Sequence, residues 1–178
     1  MSLTKKIIFG ILIFFGLFIA WVYFGLNAEE REESKFYGIK IPENMNFERP
    51  TPFLTNHKID SLKSIDVNEE KIVVVGDGYS GYTFYMWHKP IEKGEVYIKA
   101  FELTQNVQLS EEKLNERTKN QVSDLSNDFK MYEGNSVIYE GTFSNFYPVR
   151  FELWFKSESS GNETKLTETN YVIDGWDR

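Results

Sequence analysis

The chain begins with a long run of apolar residues. Residues 7–26 contain no charge, and a helix needs about 20 apolar residues to cross a hydrocarbon core of about 30 Å. Trp21 and Tyr23 lie near the end of the run, where amphipathic rings favour the membrane–water interface. The pattern predicts a transmembrane anchor over residues 7–26 that associates with the lipid bilayer.

A cleaved signal peptide is the alternative interpretation of this run. The apolar core of a signal peptide is usually about 7–15 residues long, and small residues precede its cleavage site. The run is longer than that, and a cut after Ala28 would place Leu26 where a small side chain is required. An uncleaved anchor is therefore the preferred interpretation.

The charges on either side of the anchor predict its orientation. Lys5 and Lys6 precede it in a short tip of residues 1–6, and acidic residues follow it between positions 29 and 33. Basic residues are retained on the cytoplasmic side of a membrane. The N-terminus is therefore expected to be cytoplasmic and the C-terminal domain periplasmic or extracellular.

Beyond the anchor the pattern changes twice. Residues 27–56 begin with acidic side chains and contain three of the five prolines, which predicts a stalk. Residues 57–178 contain many short apolar or alternating segments, which are typical of β-strands. In 146–156, every second residue from Tyr147 to Phe155 is apolar, and the other face carries Arg150, Glu152 and Lys156 together with Trp154. A strand with one solvated face is expected in an antiparallel sheet.

Turn and helix signals complete the predicted fold. Gly134-Asn135 is a two-residue hairpin signal between segments 129–133 and 136–143. Residues 111–121 are the only helix candidate, with Ser110 as the expected N-cap. The predicted fold class is mainly β: an antiparallel β-sandwich or partly open barrel with at most one short surface helix, preceded by one N-terminal transmembrane helix.

Net charge limits the kinds of partner that the domain can bind, and cysteine content limits how it can be stabilised. All 27 acidic residues but only 18 of the 20 basic ones follow the anchor, so that part has a net charge of −9 (18 − 27). Such a domain repels phosphate backbones, which argues against nucleic acid and favours a basic protein partner. Because there is no cysteine, the domain must be stabilised by its apolar core without disulfides.

A glycine motif follows the β-branched run 72–75. Gly76, Gly78 and Gly81 have the G-x-G-x-x-G spacing of dinucleotide-binding loops. In those loops a helix follows the glycines, whereas here the strand-favouring aromatic residues 82–87 follow. The motif is therefore interpreted as a turn or loop between two antiparallel strands, and no nucleotide cofactor is expected.

Aromatic residues are concentrated between positions 79 and 87. Because side chains alternate along a strand, the even-numbered residues from Tyr82 to Met86 are assigned to the core and the odd-numbered ones from Thr83 to Trp87 to a partly exposed face. The candidate contact residues for a protein partner or a sugar are Asp77, Tyr79, Tyr85 and Trp87. Core packing is the alternative role for these rings, since a sandwich buries aromatic side chains between its sheets.

Few residues could hold a metal or perform catalysis. His57 and His88 are distant in sequence and cysteine is absent, so the ligand spacing of a zinc site is missing. Residues 66–70 resemble the start of a calcium loop, but Lys71 stands where that loop requires glycine. No metal, cofactor or catalytic residue is predicted.

These observations favour a non-enzymatic domain that binds another protein outside the cytoplasm. An immunity-type protein that neutralises a toxin and an accessory subunit of an envelope assembly are two roles that fit. A carbohydrate-binding module that uses the aromatic residues is an alternative of a different class. The third hypothesis is a hydrolase with an unrecognised pair of carboxylates, as in glycosidases.

The predicted topology can be tested with a reporter enzyme that is active only outside the cytoplasm. Fused after Arg178, the reporter is expected to be active, because Lys5 and Lys6 hold the N-terminus inside. A fusion to the first six residues alone, which lacks the apolar run, is the inactive control. An inactive reporter after Arg178 would contradict the orientation.

Overall fold

The computed structural model describes residues 3–34, 38–51, 56–76, 81–136 and 146–173. The chain divides after residue 37 into two compact units. The first unit contains one long helix, and the second contains the β-sheets.

The N-terminal helix, α1 (Leu3–Ser34), includes a stretch that is long and apolar enough to cross a membrane, Lys5–Gly25. Its large apolar side chains are exposed; Leu12, for example, is 65% exposed and Phe14 70%. Removing such a side chain from water is worth about 1.5–3 kcal/mol. These side chains therefore gain stability from apolar surroundings such as a bilayer interior.

The described part of the second unit contains two short helices and eight strands. In chain order these are α2 (Asn56–Lys63), β1 (Lys71–Gly76), β2 (Tyr82–His88), β3 (Gly94–Glu102), β4 (Val107–Leu109), α3 (Glu111–Thr118), β5 (Asn120–Val122), β6 (Lys130–Ser136), β7 (Tyr147–Ser157) and β8 (Glu163–Ile173).

The strands form two antiparallel sheets. One has three strands in the order β1-β2-β6. The other has five: β4-β3-β7-β8, with β5 also paired to β3. The predicted mainly β fold with antiparallel sheets is confirmed, and α2 is a helix that the sequence pattern did not indicate.

The apolar faces of the two sheets meet in a common interior. The ring of Phe84 on β2 lies 5.1 Å from that of Phe151 on β7, in an edge-to-face arrangement, and Phe151 also contacts Tyr171 on β8 at 5.8 Å. Every second residue of β7 from Tyr147 to Phe155 is buried, as the alternation predicted. The solvated face predicted for this strand is wrong, because Pro148 and Glu152 are buried as well and only Lys156 is exposed. Interleaved rings of this kind hold the sheets face to face.

One seam between the sheets is closed by residues 46–51, which we call the strap. The N–H of Glu48 donates to the carbonyl of Asn170 at 2.9 Å, and its carbonyl accepts from Val172 N–H at 3.0 Å. The N–H of Thr51 donates to the carbonyl of Val74 at 2.9 Å, and its carbonyl accepts from the N–H of Gly76 at 2.8 Å. The strap therefore joins the edge of β8 to the edge of β1, although these residues lie within the predicted stalk.

The opposite seam, between β3 and β6, is closed by α3 and β5. The hydroxyl of Thr118 at the end of α3 accepts from the N–H of Ile98 on β3 at 3.0 Å. It also donates to the carbonyl of Leu114 at 2.7 Å. On the β6 side, the amide of Asn120 donates to the carbonyl of Glu133 at 3.0 Å. With both seams bridged, the fold approaches a closed barrel.

The predicted hairpin at Gly134-Asn135 is wrong. Both residues lie inside β6, where they pair with Phe84 and Thr83 of β2. A Cβ atom on Gly134 would lie 2.6 Å from the Cα of Thr118. The glycine therefore provides room for the end of α3 and does not form a turn.

The predicted helix 111–121 is shorter than expected and starts differently. α3 ends at Thr118, because residues 120–122 pair with β3 as strand β5. Ser110 is the N-cap residue, as predicted, but its backbone is left-handed with φ of 46° and its side chain makes no capping bond. Leu114 is fully buried, so the helix packs closely on the sheets.

The interpretation of the glycine motif agrees with the strand pairing. β1 and β2 are antiparallel neighbours, and Gly76 pairs with Tyr82 at the end of their ladder. A strand, not a helix, follows the glycines, as expected for a connection within a hairpin. Gly78 lies in 77–80, outside the described residues.

Candidate functional site

α2 covers the outer face of the three-stranded sheet. Ile59 and Leu62 are three positions apart and so share one side of the helix. Both pack against a buried cluster formed by Val75, Tyr85 and Trp87. The helix therefore adds a small second core outside the main interior.

An open depression of ≈ 350 Å³ lies beside the end of α2, and we call it the α2 depression. Its buried and half-buried lining residues, which form the floor, are Val67, Trp87, Phe129 and Met131. Its exposed lining residues, which form the rim, are Lys63, Ile65, Asp66, Asn68, Asn127 and Asp128. An apolar floor inside a polar rim is the arrangement found in protein–protein interfaces.

One wall of the α2 depression is held by hydrogen bonds. The N–H of Ser126 donates to the carbonyl of Pro90 at 2.9 Å, and the N–H of Asp128 donates to the Ser126 hydroxyl at 3.0 Å. Lys130 donates from Nζ to the carbonyl of Asp124 at 3.0 Å. A wall fixed in advance loses less conformational entropy when a partner binds.

The rim of the α2 depression is acidic. Two carboxylates, Asp66 and Asp128, face one ammonium group, Lys63. The floor offers the sulfur of Met131 and the aromatic ring of Phe129, which adapt to apolar side chains of various shapes. Chemically, the depression offers an apolar floor beside a rim that has one more carboxylate than ammonium group.

The contact residues predicted on β2 are buried and not partly exposed. Tyr85 and Trp87 are each 3% exposed, so the partial exposure predicted for their face is wrong. The physical reason is α2, which covers that face. Trp87 nevertheless lines the α2 depression. Asp77 and Tyr79 lie outside the described residues, and Phe84 is buried, as predicted.

The sequence reading missed the acidic residues of the rim. Asp66 belongs to the rejected calcium loop of residues 66–70, and no role was predicted for Asp128. The available signal was the spacing of Ile59 and Leu62 within the polar stretch 56–63, which is typical of a short amphipathic helix. A helix predicted there would have indicated that a second layer packs over β2.

The buried His88 and the half-buried Glu70 form a pair at the end of β2. Nδ1 of His88 lies 3.1 Å from both carboxylate oxygens of Glu70. The ring packs against Phe155 at 5.2 Å, and Nε2 is buried with no hydrogen-bond partner in the described part of the chain. A histidine that acts as a general base must reach a nucleophile or substrate; the described residues place none at Nε2.

Two carboxylates come together on the outer face of the five-stranded sheet. Glu95 on β3 and Glu163 on β8 line one depression. Each lies opposite Lys156 of β7 in the strand register. Hydrogen bonds from Lys99, at 2.8 Å, and from Tyr97 lower the pKa of Glu163. Glycosidases need one carboxyl with a raised pKa as proton donor. Glu163 therefore fits that role poorly.

Neither the arrangement of metal-ligating side chains nor the comparison with known proteins indicates a function. Within the described residues, no group of three or more His, Asp or Glu side chains is arranged to hold a metal ion. No family model, curated protein or solved structure matches the chain. Function must therefore be argued from the chemistry of the sites.

Burial on both faces of β2 predicts that two substitutions are equally damaging. Phe84→Ala and Trp87→Ala are each expected to lower the free energy of unfolding by about 3–5 kcal/mol, because each leaves a cavity. Val107→Ala, at a residue 50% exposed, is the control, with an expected change of about 0.5 kcal/mol or less. Denaturant titration of the full-length chain in detergent measures all three. A silent Trp87→Ala would show that the α2 face contributes little to stability.

Proposed function

We propose that this chain is a membrane-anchored, non-enzymatic recognition protein whose C-terminal domain binds another protein through the α2 depression. The observation that carries the proposal is the combination of an apolar floor, an acidic rim and a wall held by hydrogen bonds. Aromatic and methionine side chains in a concave, rimmed site are typical of binding hot spots.

The proposed location is outside the cytoplasm. α1 provides a helix that is long and apolar enough to cross a bilayer, and Lys5 and Lys6 favour a cytoplasmic N-terminus. In this topology the α2 depression faces the periplasm or the exterior. A tether restricts the domain to a thin layer at the membrane, which raises its effective concentration for a membrane-associated partner.

The proposed partner presents an apolar side chain with basic residues beside it. The net charge of the chain, −7, accelerates encounter with a basic protein over distances of about 10 Å. At contact, Asp66 and Asp128 would pair with the basic residues while the apolar side chain fills the floor. An immunity-type protein against a basic toxin and an accessory subunit of an envelope assembly both fit this description.

A photo-crosslinking experiment in native membranes tests the site. A photoreactive amino acid replaces Ile65, which lies on the rim and is 49% exposed. The same amino acid at Val107, 50% exposed and on the other sheet, is the control position. We expect one discrete adduct from position 65 and none of that mass from position 107.

Charge reversal separates the local contact from the overall charge. The Asp66→Lys/Asp128→Lys pair is expected to reduce the adduct at position 65 by at least about tenfold, since each lost charge pair costs on the order of 1 kcal/mol or more. Glu43→Lys/Glu116→Lys changes the net charge equally at two exposed residues away from the depression and should retain most of the adduct. Equal loss in both variants, or equal adducts at 65 and 107, would contradict the proposal.

A further inference from the structure

Four connections between elements meet at one end of the domain, which we call the loop end. They are residues 64–70, 89–93, 123–129 and 158–162. The strand register brings them together, because β1 and β6 begin beside the end of β2, and β3 begins beside the ends of β5 and β7. The first and third connections also supply most of the rim of the α2 depression. The depression is therefore continuous with the loop end.

Hydrogen bonds join the β2–β3 turn to the three other connections of the loop end. The N–H of Lys89 donates to the carboxylate of Glu70 at 3.3 Å, and the carbonyl of Pro90 accepts from the N–H of Ser126 at 2.9 Å. A third bond, at 3.0 Å, joins the turn to the backbone of residues 158–162. Connections that are linked in this way lose less conformational entropy when a partner binds.

Three aliphatic side chains are exposed at the loop end, each in a different connection. Ile91 is 70% exposed, Leu125 53% and Ile65 49%. Each is adjacent in sequence to a carboxylate, in the order Glu92, Asp124 and Asp66. Single exposed aliphatic residues are ordinary on a protein surface, whereas several on one linked surface are a mark of an interaction site. The loop end therefore repeats the combination of apolar and acidic groups found in the α2 depression.

Negative charge is concentrated at the loop end. Its four connections contain seven carboxylates and two ammonium groups, a net charge of −5 (2 − 7). Among the described residues, no lysine or arginine forms an ion pair with these carboxylates. The hydroxyls of Ser157 and Ser159 donate to Glu92 and lower the pKa of its carboxyl, which favours the ionised form. A surface of this charge attracts a cationic partner.

We infer that the loop end is one continuous interface for a folded basic protein, of which the α2 depression is a part. This inference rests on the proposed function and assigns the extent of its contact surface. The four connections contain 24 residues, and a specific interface uses about 20–30 residues on each side, so the partner contributes a folded surface and not a single short peptide. A bilayer with anionic headgroups and a second copy of the chain both fit worse, because each would bring negative charge against the carboxylates.

Photo-crosslinking in native membranes measures the extent of the interface. The photoreactive amino acid replaces Ile91 or Leu125 in turn, and each adduct is compared with the adduct from position 65. Both positions are expected to give an adduct of the same mass as position 65, with a partner that peptide mass spectrometry identifies as a basic protein. Position 107, at the other end of the domain, remains the control without that adduct.

The crosslinking outcomes separate this inference from the proposed function. An adduct from position 65 alone would overturn the inference and leave the proposed function intact. Adducts from positions 91 and 125 without one from position 65 would contradict the proposed function and retain the loop end as the interface. An acidic partner, a lipid adduct or an adduct with a second copy at positions 91 and 125 would overturn the inference, as would the absence of any adduct there.

Two double variants test whether the exposed aliphatic residues belong to the same interface as position 65. Ile91→Ser/Leu125→Ser is expected to reduce the adduct at position 65 by at least about tenfold, as loss of a hot-spot contact does. Val107→Ser/Phe146→Ser changes two residues of 50% exposure at the other end of the domain and should reduce it by about twofold or less. All four side chains are exposed, so both variants should fold. An unchanged adduct in the first variant, or equal loss in both, would overturn the inference.

Charge reversal tests the basic character of the partner at this surface. Asp124→Lys/Glu158→Lys reverses two exposed carboxylates of the loop end and is expected to reduce the adduct at position 91 by at least about tenfold. The control is Glu43→Lys/Glu116→Lys, which changes the net charge equally and should retain most of the adduct. Equal adducts from the two variants would show that the carboxylates of the loop end do not contact the partner, and the inference would be wrong.

Discussion

Closure of the two seams between the sheets is the constraint on which the rest of the domain depends. The interior rings of Phe84, Phe151 and Tyr171 are shielded from water only if neither side of the sandwich is open. At one side the strap supplies four backbone hydrogen bonds. The buried hydroxyl of Tyr171 adds a contact of its own, accepting from Val74 N–H at 3.3 Å, and burial raises the pKa of this phenol.

The same closure fixes the two outer faces that carry the candidate sites. On the three-stranded sheet, Trp87 of β2 lies directly opposite Met131 of β6. Both side chains line the α2 depression, so the pairing of these strands sets the shape of its floor. The five-stranded sheet presents Glu95 and Lys156 side by side in the depression that also contains Glu163. Trp87 and Met131 are on paired strands, whereas the rim residues Asp66 and Asp128 are on the loops before β1 and β6. Sites on paired strands hold their geometry better than sites on loops. The sheets therefore fix the floor of the α2 depression more firmly than its rim.

Sequence pattern predicted what depends on local alternation and missed what depends on long-range contacts. β7 was predicted from its period of two in apolar residues, although its second face is largely covered as well. Gly134 was misread because its role is set by Thr118, a residue on another element. The exposure of Trp87 was also misjudged, since α2 covers a face that the strand alone leaves open. The acidic rim forms only when folding brings residues 66 and 128 close together, and no local sequence pattern indicates that they will be neighbours.

The strap offers the most direct test of this account. Glu48→Pro removes the N–H that donates to Asn170, so the free energy of unfolding of the full-length chain should fall by about 1–3 kcal/mol. Lys40→Pro introduces the same residue at an exposed position N-terminal to the strap and should change this free energy by about 0.5 kcal/mol or less. Denaturant titration in detergent compares the two. Equal stability of both variants would contradict the view that the strap closes the barrel.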